Sequence, residues 1–131
     1  MTRINVGIDP RELPKKLLIA EHRELIRIPN GVANNKFVSY NNIPKSFTLN
    51  SGHVLFFLDK LKYLKRRYEA IYESCVERNV DVTSFITCFD NLPSHLYNDY
   101  LPKEHDRKLL IERISSKGFS LLELNERDVT L

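Results

Sequence analysis

Apolar residues keep a helical period from Lys15 to Ile28, where Leu17, Leu18, Leu25 and Ile28 fall within one stripe of about 100°. Lys16, Arg23 and Arg27 line up within about 40° on nearly the opposite side, with Glu24 beside them. The pattern predicts an amphipathic helix carrying a short basic ridge. Glu21 lies inside the apolar stripe, where a carboxylate needs a partner, so it is expected to form a buried structural pair. Pro14 marks the start of this helix, and Pro29-Asn30-Gly31 is expected to end or kink it. Ahead of it, an extended lead enters a turn at Asp9-Pro10, where Asp caps and Pro takes the first helical position.

A second helix is predicted from about His53 to Arg78, because Phe57, Leu61, Leu64, Tyr68, Ile71, Tyr72 and Cys75 recur at three and four residues. It should be the central strut of the core. A third, from about Glu104 to Lys117, places Leu110, Ile111 and Ile114 on one face, with Arg113 and Lys117 adjacent at a four-residue spacing. Gly118 is its natural stop. The loop from Asn30 to Ser51 is long enough to suggest function, and Val80 to Leu101 reads as irregular chain with short helical turns. The fold class expected is all-α: a compact single domain over residues 1–131, with three main helices and long irregular connections. A stray two-stranded pairing is compatible with it.

Composition adds constraints. At 131 residues, 42% hydrophobic and 28% charged, the chain has ordinary globular values. The net charge of +3 is small, but unevenly placed. Asp59 to Arg67 holds five bases against one acid, whereas residues 79–106 hold five acids (Asp81, Asp90, Asp99, Glu104, Asp106) against Lys103. One face is therefore expected to be basic and another acidic. With four glycines there is no phosphate-cradling loop, which argues against nucleotide hydrolysis. His22, His53, His95 and His105 show no metal-ligand spacing with Cys or carboxylates, so neither metal nor cofactor is expected. Cys75 and Cys88 read as free thiols, Cys75 as inert core; without a signal peptide or membrane-length apolar stretch, a reducing cytoplasm, bacterial or of a phage-infected host, is expected.

The chemistry starts at Met1-Thr2-Arg3-Ile4-Asn5. A small second residue permits removal of the initiator methionine, leaving an α-amine on Thr2. Such an amine titrates near about 8 and is partly neutral at physiological pH, hence a ready nucleophile for imine formation. Alone, this feature is shared by a great many chains.

The wider constellation resembles the pyrimidine-dimer glycosylase and abasic-site lyase family of the T-even bacteriophages, the phage endonuclease V family. It is carried by Met1-Thr2-Arg3-Ile4-Asn5, by Ala20-Glu21-His22-Arg23-Glu24-Leu25 with Arg27, by Gly52-His53-Val54 running through Phe56-Phe57 to Asp59-Lys60-Leu61, and by Asp99-Tyr100 with Pro102 and Glu104. The resemblance implies that Thr2 is the catalytic amine and Glu24 the essential glutamate, stabilising the developing positive sugar and moving protons during β-elimination. It implies that Arg3, Arg23, Arg27, Arg113 and Lys117 bind the phosphates around the lesion, giving affinity and register. The partner implied is double-stranded DNA with a damaged or abasic nucleotide, kinked and with a nucleotide extruded, acted on by a monomer that touches no membrane. The departures fall on recognition. The family's C-terminal aromatic cluster has no counterpart in Gly118-Phe119-Ser120-Leu121-Leu122-Glu123-Leu124-Asn125, the chain has no tryptophan, and His22 stands where the family has a tyrosine. Substrates open on these residues are a pyrimidine dimer, another damaged or modified base, or an abasic site. Two alternatives are a non-enzymatic DNA- or nucleotide-binding protein of the same fold, and a helical interaction module using the acidic stretch.

Overall fold

The computed structural model describes residues 3–37 and 40–124. Among them the chain is helical and forms no strand, so the all-α expectation holds. Four helices follow in order: α1 (Lys15–Ala33), α2 (His53–Phe56), α3 (Leu61–Glu77) and α4 (Glu104–Ser116). Short 3-10 turns form at Pro10–Glu12, Ile86–Phe89 and Ser94–Leu96, and an isolated antiparallel bridge joins Lys60 to Tyr97. No described helix is long and apolar enough to cross a membrane.

The turn at Pro10 forms as its residues dictate. The Asp9 carboxylate accepts the Arg11 N–H, and Glu12 reaches back to the Asp9 N–H, closing a capping box. Pro14 then takes the cap position of α1. This helix does not end at Pro29 but runs on to Ala33, so of the two outcomes expected there, an end or a kink, the end is excluded. An internal proline costs about 3 kcal/mol. Burial of Ile28 and Val32, each worth about 1.5–3 kcal/mol, offsets it. Gly31 helps further, because the Phe37 ring lies where a Cβ would come within 2.7 Å of it.

The second predicted helix is two. The chain turns at Phe57 to Lys60, leaving α2 as a single turn before α3 starts. Phe56, Phe57 and Leu58 are all fully buried. Three consecutive residues of a helix point about 100° apart and cannot all face one core, so the turn replaces the helix there. Lys60 secures it, its Nζ donating to the Phe56 carbonyl at 2.9 Å and lying 3.9 Å from that ring's centre.

Leu61, Leu64, Tyr68, Ile71 and Cys75 then form the expected buried face of α3 against α1. α4 buries Leu110 and Ile114, but Ile111 is turned outward, contrary to expectation, because the narrow contact accepts only one side of the helix. Gly118, at φ +84°, ends this element. The Phe119 N–H returns to the Ile114 carbonyl and the Gly118 N–H to Ser115, so the helix stops one residue short of Lys117, its cap.

Folding pairs part of the basic run that the sequence shows from Asp59 to Arg67. Lys60 pairs with Asp59 at 2.8 Å, Arg66 with Asp99 at 2.7 Å, and Arg67 with buried Glu21 at 2.7 Å. Asp106 is buried and accepts hydrogen bonds from the Tyr100 hydroxyl and the Lys103 N–H. The basic start of α3 meets the acidic connection at Asp99, while Asp81, Asp90 and Glu104 stay exposed.

Candidate active site

Thr2, the expected nucleophile, lies outside the described residues, as does Met1. The segment that follows Thr2 is buried in the core: Ile4, Val6 and Ile8 are fully enclosed and Asn5 nearly so. Most of its residues are gripped from other parts of the molecule. The Arg3 Nε–H donates to the Leu49 carbonyl at 3.0 Å, and the Ile4 N–H donates to Nε2 of His53 at 2.9 Å. Asn5 donates from its amide to Glu21 Oε1 at 2.7 Å. Arg107 donates to the Gly7 carbonyl at 3.0 Å, and Arg67 donates to that of Ile8. Gly7 is required here, because φ is +79° and Arg107 Cβ lies 3.1 Å from where a side chain would begin.

Glu21 is the buried structural pair its position implied, held by Arg67 through two N–H donors at 2.7 and 3.0 Å. Glu24, three residues on, faces a different surrounding. It is 6% exposed, and its Oε2 accepts from Arg27 Nη1 at 3.1 Å. Glu24 and Arg27 line a pocket of about 400 Å³ with Ile28, Asn30, Gly31, Lys36, Phe37 and Val54. Arg23, next to Glu24, is exposed on α1.

A second concavity, of about 520 Å³, lies between the Phe47–Asn50 stretch and α4, with Leu109, Glu112, Arg113 and Ser116 on its far side. Arg113 is half-buried there. Burial and then the nearby positive charge of Arg3 hold its guanidinium below the usual arginine range. Lys117 is exposed at the end of α4. The expected site residues therefore gather as two groups, Glu24 with Arg27 and Arg3 with Arg113. Between them runs the chain from Phe47 to Val54, which lines both hollows.

His53 opens α2 at the centre of that chain and is 2% exposed. Since Nε2 accepts from Ile4, the ring proton sits on Nδ1, which donates to the Thr48 carbonyl at 2.9 Å. Burial, more than any neighbouring charge, pushes the imidazole down to about 4 from the ordinary 6.5. In the sequence His53 and Asn5 stand among the residues of the resemblance without a task, and Lys36 and Phe37 of the Glu24 pocket carry no signal. Only Gly31, a glycine in a helix, signalled close approach of another group.

His22, where a tyrosine was expected by resemblance, is buried on the other flank of α1. Its Nε2 lies 2.9 Å from the Tyr68 hydroxyl, which accepts the Phe85 N–H at 2.8 Å. The tail after α4 folds back, the Leu122 N–H donating to the Glu12 carbonyl at 2.7 Å. Among the described residues, no three His, Cys, Asp or Glu side chains group as a metal site requires.

The sequence has a counterpart among the enzymes that excise damaged bases from DNA. A family model described as pyrimidine dimer DNA glycosylase matches residues 1–87. The chain belongs to this family, and is a DNA-repair glycosylase whose substrate is DNA with a damaged base. The match takes in Thr2, Arg3, Arg23, Glu24, Arg27 and His53, and ends before Arg113 and Lys117.

Proposed function

We propose that this glycosylase is also an abasic-site lyase that works through an imine on the α-amine of Thr2, after removal of Met1. The neutral amine attacks C1′ of the damaged nucleotide, and the C1′–N bond breaks with its electron pair leaving on the base, which takes up a proton. Ring opening places a proton on O4′ and leaves a protonated imine at C1′. Loss of a C2′ proton then expels the 3′ phosphate by β-elimination, and hydrolysis of the imine restores the amine. Glu24 stabilises the positive sugar in the first step and carries the proton in the elimination. Arg3, Arg23, Arg27, Arg113 and Lys117 hold the flanking phosphates, Arg27 also keeping the Glu24 carboxylate in place through their ion pair.

One observation carries this reading: Glu24 is nearly buried yet lines an open pocket, and Val54 in that pocket's wall adjoins the His53 that grips the segment leading from Thr2. A purely structural carboxylate would be enclosed like Glu21, with its oxygens consumed by the protein. The test is incubation with a duplex holding one pyrimidine dimer. Base release followed by strand cleavage to a β-elimination end is expected, and Glu24→Gln should slow it by about 100-fold or more while still binding the duplex. Strand cleavage by Glu24→Gln at the wild-type rate would refute the assignment.

A further inference from the structure

The hydrogen bond between Ile4 and His53 has a significance beyond folding. The backbone from Arg3 to Ile8 is bonded by the flexible arginines Arg67 and Arg107 at the Ile8 and Gly7 carbonyls, and Asn5 bonds Glu21 through its side chain. His53 differs: its ring lies directly against the peptide group two residues after Thr2. The imidazole is itself immobilised. Nδ1–H is tied to the Thr48 carbonyl, Phe47 packs edge-on at 5.5 Å and Phe57 edge-on at 5.3 Å between ring centres. The next residue along the chain, Val54, forms part of the pocket that holds Glu24. One turn of helix thus touches both the lead to the amine and the wall beside the carboxylate.

We infer that His53 is a positioning residue for the reaction, its Nε2 fixing the Ile4 peptide and thereby the line along which the Thr2 amine reaches C1′. The inference rests on the amine reading given above. Its physical basis is that attack geometry is worth far more than its contact energy: a misplacement of about 1 Å can cost about 100-fold in rate. Two residues of backbone separate the anchor from the amine. Rotation about the bonds of Arg3 is limited in turn by the Nε–H bond to Leu49, so two adjacent residues are held on the same Phe47–Val54 stretch. The neutral ring is what makes the bond, because a protonated Nε2 is a donor and would confront the Ile4 N–H. Charged groups around the ring are Arg3 from the lead segment and Arg113 from α4, both opposing its protonation, and Glu21 from α1, which favours it.

The experiment compares borohydride trapping rates on a duplex with a single abasic site, together with dissociation constants for the same duplex and thermal unfolding. His53→Phe keeps the packing but removes the acceptor; His53→Gln offers a carbonyl oxygen at similar reach. Expected are a trapping rate at least about 10-fold lower for His53→Phe with affinity for the duplex within about twofold of wild type, and recovery of most of the rate in His53→Gln. Should His53→Phe not fold, His53→Asn replaces it, since its shorter side chain falls short of Ile4 while remaining polar. Equal trapping rates for wild type and the variant lacking the acceptor would overturn the inference, as would rate and affinity falling together by the same factor. A wild-type protein that forms no adduct would instead defeat the amine reading itself, so the two failures are distinguishable.

Discussion

Glu21 and Glu24 are three residues apart on α1, and their surroundings give them different work. Glu21 is fully enclosed and held by Arg67 and Asn5, whereas Glu24 keeps one ion pair and a face on a pocket. Histidine is put to a comparable use at position 53, where burial keeps the ring neutral. That has a consequence for stability. An unfolded chain protonates this imidazole below about 6.5, the folded one only near about 4, so the contribution is complete above pH 6.5 and is lost as pH falls toward about 4. The difference corresponds to on the order of 3 kcal/mol. Urea unfolding at a series of pH values should therefore show a steeper loss for wild type than for His53→Gln over that window; parallel curves would contradict it. Glu21 was legible from the sequence because a carboxylate inside an apolar stripe announces a buried pair. His53 was not, since its partners Ile4 and Thr48 follow no periodic spacing, and Ile4 lies 49 positions away.

At the scale of elements, helical period foretold α1, α3 and α4, and it failed wherever tertiary packing outweighed local preference. Pro29 did not stop α1, because Ile28 and Val32 are buried beyond what its lost hydrogen bond costs. Phe57, counted as part of a helical stripe, lies in a turn because Phe56 and Leu58 beside it are buried as well. The segment from Arg3 to Ile8 had no period to read, yet it is the element that α1 and α3 close around. Arg67 joins these three, pairing with Glu21 of α1 and capping the Ile8 carbonyl. Arg67→Met should cost about 3–5 kcal/mol in urea unfolding, since it strands a buried carboxylate. A loss below about 1 kcal/mol would show that the pair is not the tether described.

Over the whole molecule, three of the five bases at the start of α3, Lys60, Arg66 and Arg67, are paired with Asp59, Asp99 and Glu21. Linear charge counting does not show these pairs, because Glu21 and Asp99 lie 46 and 33 positions from their partners. The basic residues expected to meet DNA lie elsewhere: Arg23 and Arg27 on the outer side of α1, Arg113 in the wall of one hollow with the charge of Arg3 nearby, and Lys117 at the end of α4. Their assignment came through resemblance to a family and not through periodicity, and the family match over residues 1–87 reaches the first three only. The imine at Thr2 is open to borohydride trapping on a duplex with one abasic site, followed by mass spectrometry of the adduct. A covalent adduct carried by the N-terminal peptide at Thr2 is expected. Protein with Met1 fully removed that binds this duplex and yields no adduct, or an adduct on a lysine, would contradict it.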